Sequence, residues 1–251
     1  MNTKHILTSL FVLVTGSSVM AQDILHEGEY KPEETEIWEP EPKKIEAGEN
    51  NQPPSDAIVL FGGDDLSAWE STEGGAASWD VSDGHFTVKP KAGGIRTKQE
   101  FGDFQLHIEW RSPQEIVGES QGRGNSGIFL QGMYELQVLD SYDNRTYSNG
   151  QAGSIYKQSP PLVNATRPPS EWEVYDVIYN APKFNEKNGA MLEPGYVTVM
   201  HNGVVVQNHT KLQGTTEYIG TPRWVAHGNG PIMLQDHGNP VSFRNIWIRE
   251  L

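Results

Sequence analysis

The sequence predicts an all-β fold: two antiparallel sheets packed face to face as a jelly-roll sandwich. Three observations carry this reading. From Ser55 onward, short runs of alternating apolar and polar residues follow one another. Clusters of Gly, Asn, Asp and Pro separate them, the residues that make tight turns. No stretch sustains a helical period beyond one short turn in a loop.

The elements follow in order. SWDVSDGHFTV places Trp79 and Val81, then Phe86 and Val88, around Asp83-Gly84, a preferred hairpin turn. FQLHIEWRS puts Phe104, Leu106, Ile108 and Trp110 on one face and Gln105, His107, Glu109 and Arg111 on the other. NSGIFLQG and YELQVLD form a pair joined by a short connection at Gly132-Met133. In YELQVLD, Tyr134, Leu136 and Val138 face one way, and Glu135 and Gln137 the other. WEVYDVIYNAP is a further strand. GYVTVMHNGVVVQN is a hairpin about Asn202-Gly203. PIMLQDHG and VSFRNIWIREL close the chain, and the alternation slips after Arg244, which predicts a bulge. Two long loops, 112–124 and 142–170, have the length expected of lids or rims of a site.

Composition sets the boundaries. Residues 1–21 read as a secretory signal peptide: Lys4, the apolar run 6–14, and Val19 and Ala21 before the cut. This predicts a periplasmic or secreted protein with no membrane span after signal removal. Residues 22–54 hold ten acidic residues, three basic ones and five prolines, which predicts a solvated tail or tether. Residues 55–251 form the folded domain. The chain has no cysteine, so disulfides, thiol nucleophiles and zinc–thiolate sites are excluded. A net charge of −14 argues against nucleic acid and anionic membrane surfaces and suits a neutral ligand such as a sugar.

The blocks LFGGDDLSAW, GGIRTKQEFGDFQLHIEWR, GNSGIFLQGMYELQVLDS, NGVVVQN and LQDHGNPVSFRNIWIREL, in this order, resemble the 3-keto-disaccharide hydrolase family. The resemblance runs from about Ala57 to Leu251 and departs from the family pattern at Gly62 and Glu173. It implies a concanavalin A-like jelly roll and activity on glycosides whose carbon 3 is oxidised to a ketone. It also implies a sugar 3-oxidoreductase in the same pathway.

Cleaving such a glycoside needs a base, an acid and an electrophile. A 3-ketone acidifies the proton on carbon 2. A base removes it, the leaving group departs from carbon 1, and water adds to the enone. His237 is the expected base, because imidazole titrates near neutrality. Glu135 is its acid/base partner, and Arg111 or one divalent cation meets the enolate oxygen. Arg96, Glu109, Asn125, Gln137, Gln235, Asp236 and His201 are candidates to hold hydroxyls, since amides and carboxylates bind them in pairs. Each has a plainer reading: Glu109 with Arg111 as a cross-strand ion pair, Asn125 as a strand entry, His201 as a turn-flanking residue. No spacing motif fixes a metal; a dispersed set such as Glu135 with His237 leaves that cation open. Two other functions fit the fold. One is a conventional glycosidase with Glu109 and Glu135 as paired carboxylates. The other is a carbohydrate-binding module without catalysis.

Overall fold

The computed structural model describes residues 31–251. The signal peptide reading, at 1–21, lies outside the described residues, as does the start of the acidic segment. The chain divides into a unit ending at Lys44 and a compact unit, Ile45–Leu251. The described part of the first holds a single 3-10 turn, Pro32–Thr35, and exposed side chains that include Ile37 and Trp38.

The compact unit begins at Ile45, ahead of the Ser55 boundary set by composition. Glu46 and Ser55 hydrogen-bond to each other through backbone and side chain. The Asn51 carbonyl accepts from Asn245 Nδ2 and Trp247 Nε1. Polar contacts of this kind hold a segment too poor in apolar residues to be read as folded.

The strands are β1 (Ile58–Phe61), β2 (Trp69–Ser71), β3 (Asp80–Ser82), β4 (His85–Thr87), β5 (Ile95–Thr97), β6 (Phe104–Arg111), β7 (Ser126–Leu130) and β8 (Tyr134–Val138). There follow β9 (Glu173–Asn180), β10 (Lys183–Phe184), β11 (Met191–Glu193), β12 (Tyr196–His201), β13 (Val204–Lys211), β14 (Met233–Leu234) and β15 (Ser242–Glu250). The larger sheet runs β13-β12-β9-β6-β15-β4-β3, with β1 also paired to β15. The smaller runs β2-β5-β14-β7-β8, and β10 with β11 is a separate hairpin. Every pairing between these strands is antiparallel.

One core joins the two sheets. Leu106, Ile108 and Trp110 of β6 and Leu136 and Val138 of β8 are buried in it. Tyr175 Oη donates to the Gln137 carbonyl at 2.9 Å, and Tyr179 Oη donates to Gln131 Oε1 at 2.8 Å, so β9 is tied across the sandwich. Burying apolar area on this scale is the main stabilising term, at about 25 cal/mol per Å².

The turns follow the residues. Asp83 and Gly84, and Asn202 and Gly203, all have positive φ, as two-residue hairpins require. The bulge expected after Arg244 is present: the register against β6 shifts between Arg244 and Trp247, with Asn245 at φ 44°. The strand expected through PIMLQDHG is short and ends at Leu234. Asp236 ends it by accepting from the Gly238 and Gly93 amides at 2.9 and 3.1 Å, an Asx turn that a period-two reading misses.

Candidate active site

A cleft of about 660 Å³ opens over the outer face of the smaller sheet. Its floor is β7 and β8, and its walls are loops. Strand β8 is the last strand of its sheet, so one edge is left without a strand partner. The loop 142–170 covers that edge. Tyr156 N donates to the Glu135 carbonyl, and Gln137 N to the Ser154 carbonyl, both at 3.0 Å. Thr216, from the loop after β13, accepts from Glu135 N at 2.9 Å. These loops wall in the outward side chains of β8. The long loops expected to rim a site thus do so, supplying Gln121, Tyr147, Tyr156 and Lys157.

Glu135 lies at the floor of this cleft. It is 5% exposed, and no hydrogen bond or ion pair reaches its carboxyl among the described residues. Burial pushes its pKa up to about 8, so it is protonated at neutral pH. Gly127 makes room for it: a Cβ there would stand 2.6 Å from Glu135 Oε1 and 3.0 Å from the Phe129 ring.

Amides surround the carboxyl. Gln137 Nε2 donates to Gln121 Oε1 at 2.9 Å and to the Gly150 carbonyl at 3.2 Å. A carbonyl only accepts, so this contact fixes the Gln137 amide orientation. The Oε1 atoms of Gln137 and Gln235 are both buried without a partner. Asn125 Nδ2 donates to the Gln121 carbonyl at 2.6 Å. His237 is exposed at the cleft wall, and its imidazole makes no hydrogen bond among the described residues.

Two tyrosines and a lysine complete the wall. The Tyr147 and Tyr156 hydroxyls lie 2.6 Å apart. Burial raises both pKa values, and both rings line the cleft with the Glu135 carboxyl. Gly150 lets the Tyr147 ring sit down, since a Cβ there would be 2.1 Å from Tyr147 Cε2.

The structure therefore brings together Glu135, Gln137, Asn125, Gln235 and His237 of the expected set. Asp236 lies between two of them in sequence but turns away, spent on backbone amides. Arg96 pairs with Glu70 at 2.8 Å, with its side chain exposed, and does not line the cleft.

Glu109 and Arg111 need correction. They sit on β6 in the larger sheet, so their faces are turned from the cleft. Arg111 donates to His85 Nε2 at 3.1 Å and lies 4.5 Å over the Trp172 ring. Glu109 is held by Arg244 at 2.6 Å, Asn245 at 2.9 Å and His107 at 3.5 Å. His201 is likewise structural: fully buried on β12, it bonds Glu173 Oε2 at 2.9 Å. Alternation told which residues share a strand face, but not which sheet the strand joins.

Residue reading missed Gln121, Tyr147, Tyr156, Lys157, Thr216 and Tyr218. Loop length was the signal for the first four; Thr216 and Tyr218 lie in the segment after β13, which carried none. Among the described residues no group of three or more His, Cys, Asp or Glu is placed to hold a metal ion. Within the cleft, a cation would have Glu135, His237 and amide oxygens as donors.

Comparison with known proteins follows the same line. The profile of the 3-keto-alpha-glucoside-1,2-lyase-like domain matches residues 56–249. A 3-keto-disaccharide hydrolase of Bacteroides thetaiotaomicron is 25% identical over 263 aligned positions, covering 83% of this chain and 85% of that one. A crystal structure from Parabacteroides distasonis, described as a candidate glycosyl hydrolase, is 62% identical with a TM-score of 0.85, covering 88% and 97% of the two chains. A second candidate glycosyl hydrolase of that organism shares the fold at 21% identity and a TM-score of 0.57, over 78% and 94% of the chains.

Proposed function

The chain belongs to the 3-keto-disaccharide hydrolase family and is a carbohydrate-active, glycoside hydrolase-like enzyme; from that premise we propose that its substrates are 3-keto-glycosides. One observation carries the reading: a buried, partnerless carboxyl with pKa about 8 shares a cleft with a partnerless imidazole. The protonated carboxyl can give a proton and an imidazole nitrogen can take one, the pair of roles this chemistry needs.

His237 takes the proton from carbon 2, and the C–H electrons form the C2–C3 double bond as the carbonyl becomes an enolate. The enolate collapses, re-forms the ketone and expels the group on carbon 1, whose oxygen takes the Glu135 proton. Water then adds to carbon 1 of the enone. The Glu135 carboxylate receives the proton of that water, and His237 returns its own to carbon 2. The net change is hydrolysis; release of the enone before hydration makes the enzyme a lyase. Gln137 and Gln235 offer bare amide oxygens, which suit substrate hydroxyls as donors. Oxidation of the carbon 3 hydroxyl by a sugar 3-oxidoreductase supplies the substrate. With residues 1–21 read as a signal peptide, the reaction belongs to the periplasm or the exterior.

A conventional glycosidase needs two carboxylates about the scissile bond. Glu135 is the one carboxyl among the described residues lining the cleft, and Glu109 lies on the other sheet. This weighs against paired carboxylates.

The test supplies purified protein with a 3-keto-disaccharide and with its unoxidised parent, each with and without chelator. Cleavage of the oxidised sugar alone is expected. Equal cleavage of the parent removes the keto requirement, and binding without turnover leaves a binding module. Loss of cleavage with chelator assigns the enolate to a divalent cation.

A further inference from the structure

The enolate needs an electrophile, and Arg111 lies on the other sheet. Lys157 is the one Lys or Arg among the described residues that line the cleft. It is half-buried and has no carboxylate partner among those residues, in a chain whose net charge is −14. Its ammonium lies 4.4 Å from the Tyr218 ring centroid, 5.7 Å from that of Tyr156 and 5.8 Å from that of Tyr147. Aromatic faces hold a cation in place without neutralising it.

The backbone supports a selected position. Lys157 has φ 57°, a left-handed conformation unusual for a residue with a side chain, and its N–H donates to the Asn149 carbonyl at 2.8 Å. Its Nζ donates to the Tyr218 carbonyl. An ammonium has three N–H donors, so two remain for a ligand.

A plainer role would be to clip loop 142–170 to the loop bearing Tyr218. The next residue already does so. Gln158 Nε2 donates to the Gly214 carbonyl at 2.9 Å, Gln213 N donates to Gln158 Oε1 at 2.8 Å, and Gln213 Nε2 donates to the Gln158 carbonyl at 3.1 Å. Three neutral bonds make the clip, so a charged side chain is not required for it.

We propose that Lys157 is a catalytic residue whose ammonium meets the oxygen on carbon 3 and stabilises the enolate formed when the carbon 2 proton leaves. The assignment rests on the 3-keto reading of the cleft. No bond to Lys157 forms or breaks; it donates a charge-assisted hydrogen bond to the oxygen on which negative charge develops.

The experiment isolates enolisation from cleavage. A 3-keto sugar with hydrogen in place of the leaving group on carbon 1 is incubated in D2O. Deuterium entry at carbon 2 is followed by NMR for wild type, Lys157→Met, Lys157→Gln and Lys157→Arg. Wild type should exchange carbon 2. The neutral variants should be slower by about 100-fold or more, with melting temperature and analogue binding little changed, and the arginine variant should recover part of the rate. Wild-type exchange in Lys157→Met or Lys157→Gln overturns the assignment and leaves the 3-keto reading standing. Failure of both neutral variants to fold makes Lys157 a structural clip and also overturns it. Absence of exchange in wild type sinks the 3-keto reading, and the assignment with it.

Discussion

Glu109 and Glu135 begin as near twins. Each sits within a strand of alternating pattern, FQLHIEWR and YELQV, with apolar neighbours pointing into the same core. Each is 5% exposed. Their chemical states are opposite. Burial alone would raise the Glu109 pKa, but hydrogen bonds from His107, Asn245 and Arg244 outweigh it and hold the carboxylate at about 2. Nothing offsets burial at Glu135, and it rises to about 8. His107 repeats the contrast against His237. It is buried, bonded to Asp176 at 2.6 Å and stacked 5.1 Å from the Trp247 ring centroid, whereas His237 is exposed and unpartnered. A carboxyl and an imidazole satisfied by their neighbours are structure; the same groups left unsatisfied in a cleft are available to a substrate.

The largest test of that contrast swaps the two carboxyls for amides. Glu135→Gln removes an acid that solvent does not replace, and kcat should fall by about 1,000-fold or more with folding intact. Glu109→Gln should leave kcat within about twofold and cost roughly 1–3 kcal/mol of stability, from weakened charged hydrogen bonds. Steady-state rates and urea melts on both variants read this directly. A Glu109 variant with the larger loss of kcat would reverse the two assignments.

Stability against pH gives the next effect, because the two shifts have opposite signs. Glu135 keeps its proton in the folded state up to about 8, while the unfolded chain releases it near 4.5. Stability should therefore fall as pH rises from 4.5 to 8, by about 1.4 kcal/mol per unit at the steepest. Glu109 contributes stability that is present above 4.5 and lost as pH falls toward 2. His107 is also raised: burial would lower it, but Asp176 and Glu109 outweigh that. Its contribution is full below 6.5 and lost as pH rises through its folded value, a slope of the same sign as that of Glu135. The difference between wild type and Glu135→Gln therefore isolates Glu135. That difference should grow between pH 4.5 and 8 and be flat below. A constant difference would mean that Glu135 titrates normally.

The histidines give a smaller gap. Exposed His237 has water and buffer as partial substitutes, so His237→Gln should lower kcat by about 100-fold, with partial rescue by added imidazole. His107→Gln should lower the melting temperature and leave kcat unchanged. Loss of kcat in the His107 variant without loss of stability would place chemistry on the larger sheet.

How much of this the sequence carries depends on distance along the chain. Period-two alternation is local, so Tyr134, Leu136 and Val138 could be assigned to the core and Glu135 and Gln137 to the opposite face. Turn chemistry is local too, which made the Asp83-Gly84 and Asn202-Gly203 hairpins and the bulge after Arg244 legible. Sheet membership is not local. Strand β6 lies between β9 and β15, while β8 is an edge, and no residue within either strand records that. So Glu109 and Arg111 were grouped with Glu135 although the core separates them. His201 looked like a turn residue because its partner, Glu173, comes from the neighbouring strand. The cleft walls were legible only as loop length: Tyr147, Tyr156 and Lys157 line the cleft with Glu135 because their loop covers the free edge of β8, a tertiary event with no period to read.

The smallest effect separates two glutamines. Gln207 is fully spent: its Nε2 donates to the Gly153 and Pro160 carbonyls at 2.9 and 3.1 Å, and its Oε1 accepts from Thr210 at 2.8 Å. Gln235 lines the cleft with a buried Oε1 that has no partner, and its side chain makes no hydrogen bond among the described residues. Substituting Met keeps the length of each and removes the amide. In Gln207→Met the carbonyls of Gly153 and Pro160 lose a donor, so stability should drop by about 1–3 kcal/mol with KM unchanged. In Gln235→Met nothing in the protein loses a partner, so stability should hold or rise slightly. The substrate loses one acceptor, which should raise KM about tenfold with kcat little changed, the mark of uniform binding. Melting curves and saturation kinetics on the pair decide it. If Gln235→Met instead destabilises the protein and leaves KM alone, its amide oxygen belongs to the packing, and the amide floor beneath Glu135 does not read the sugar.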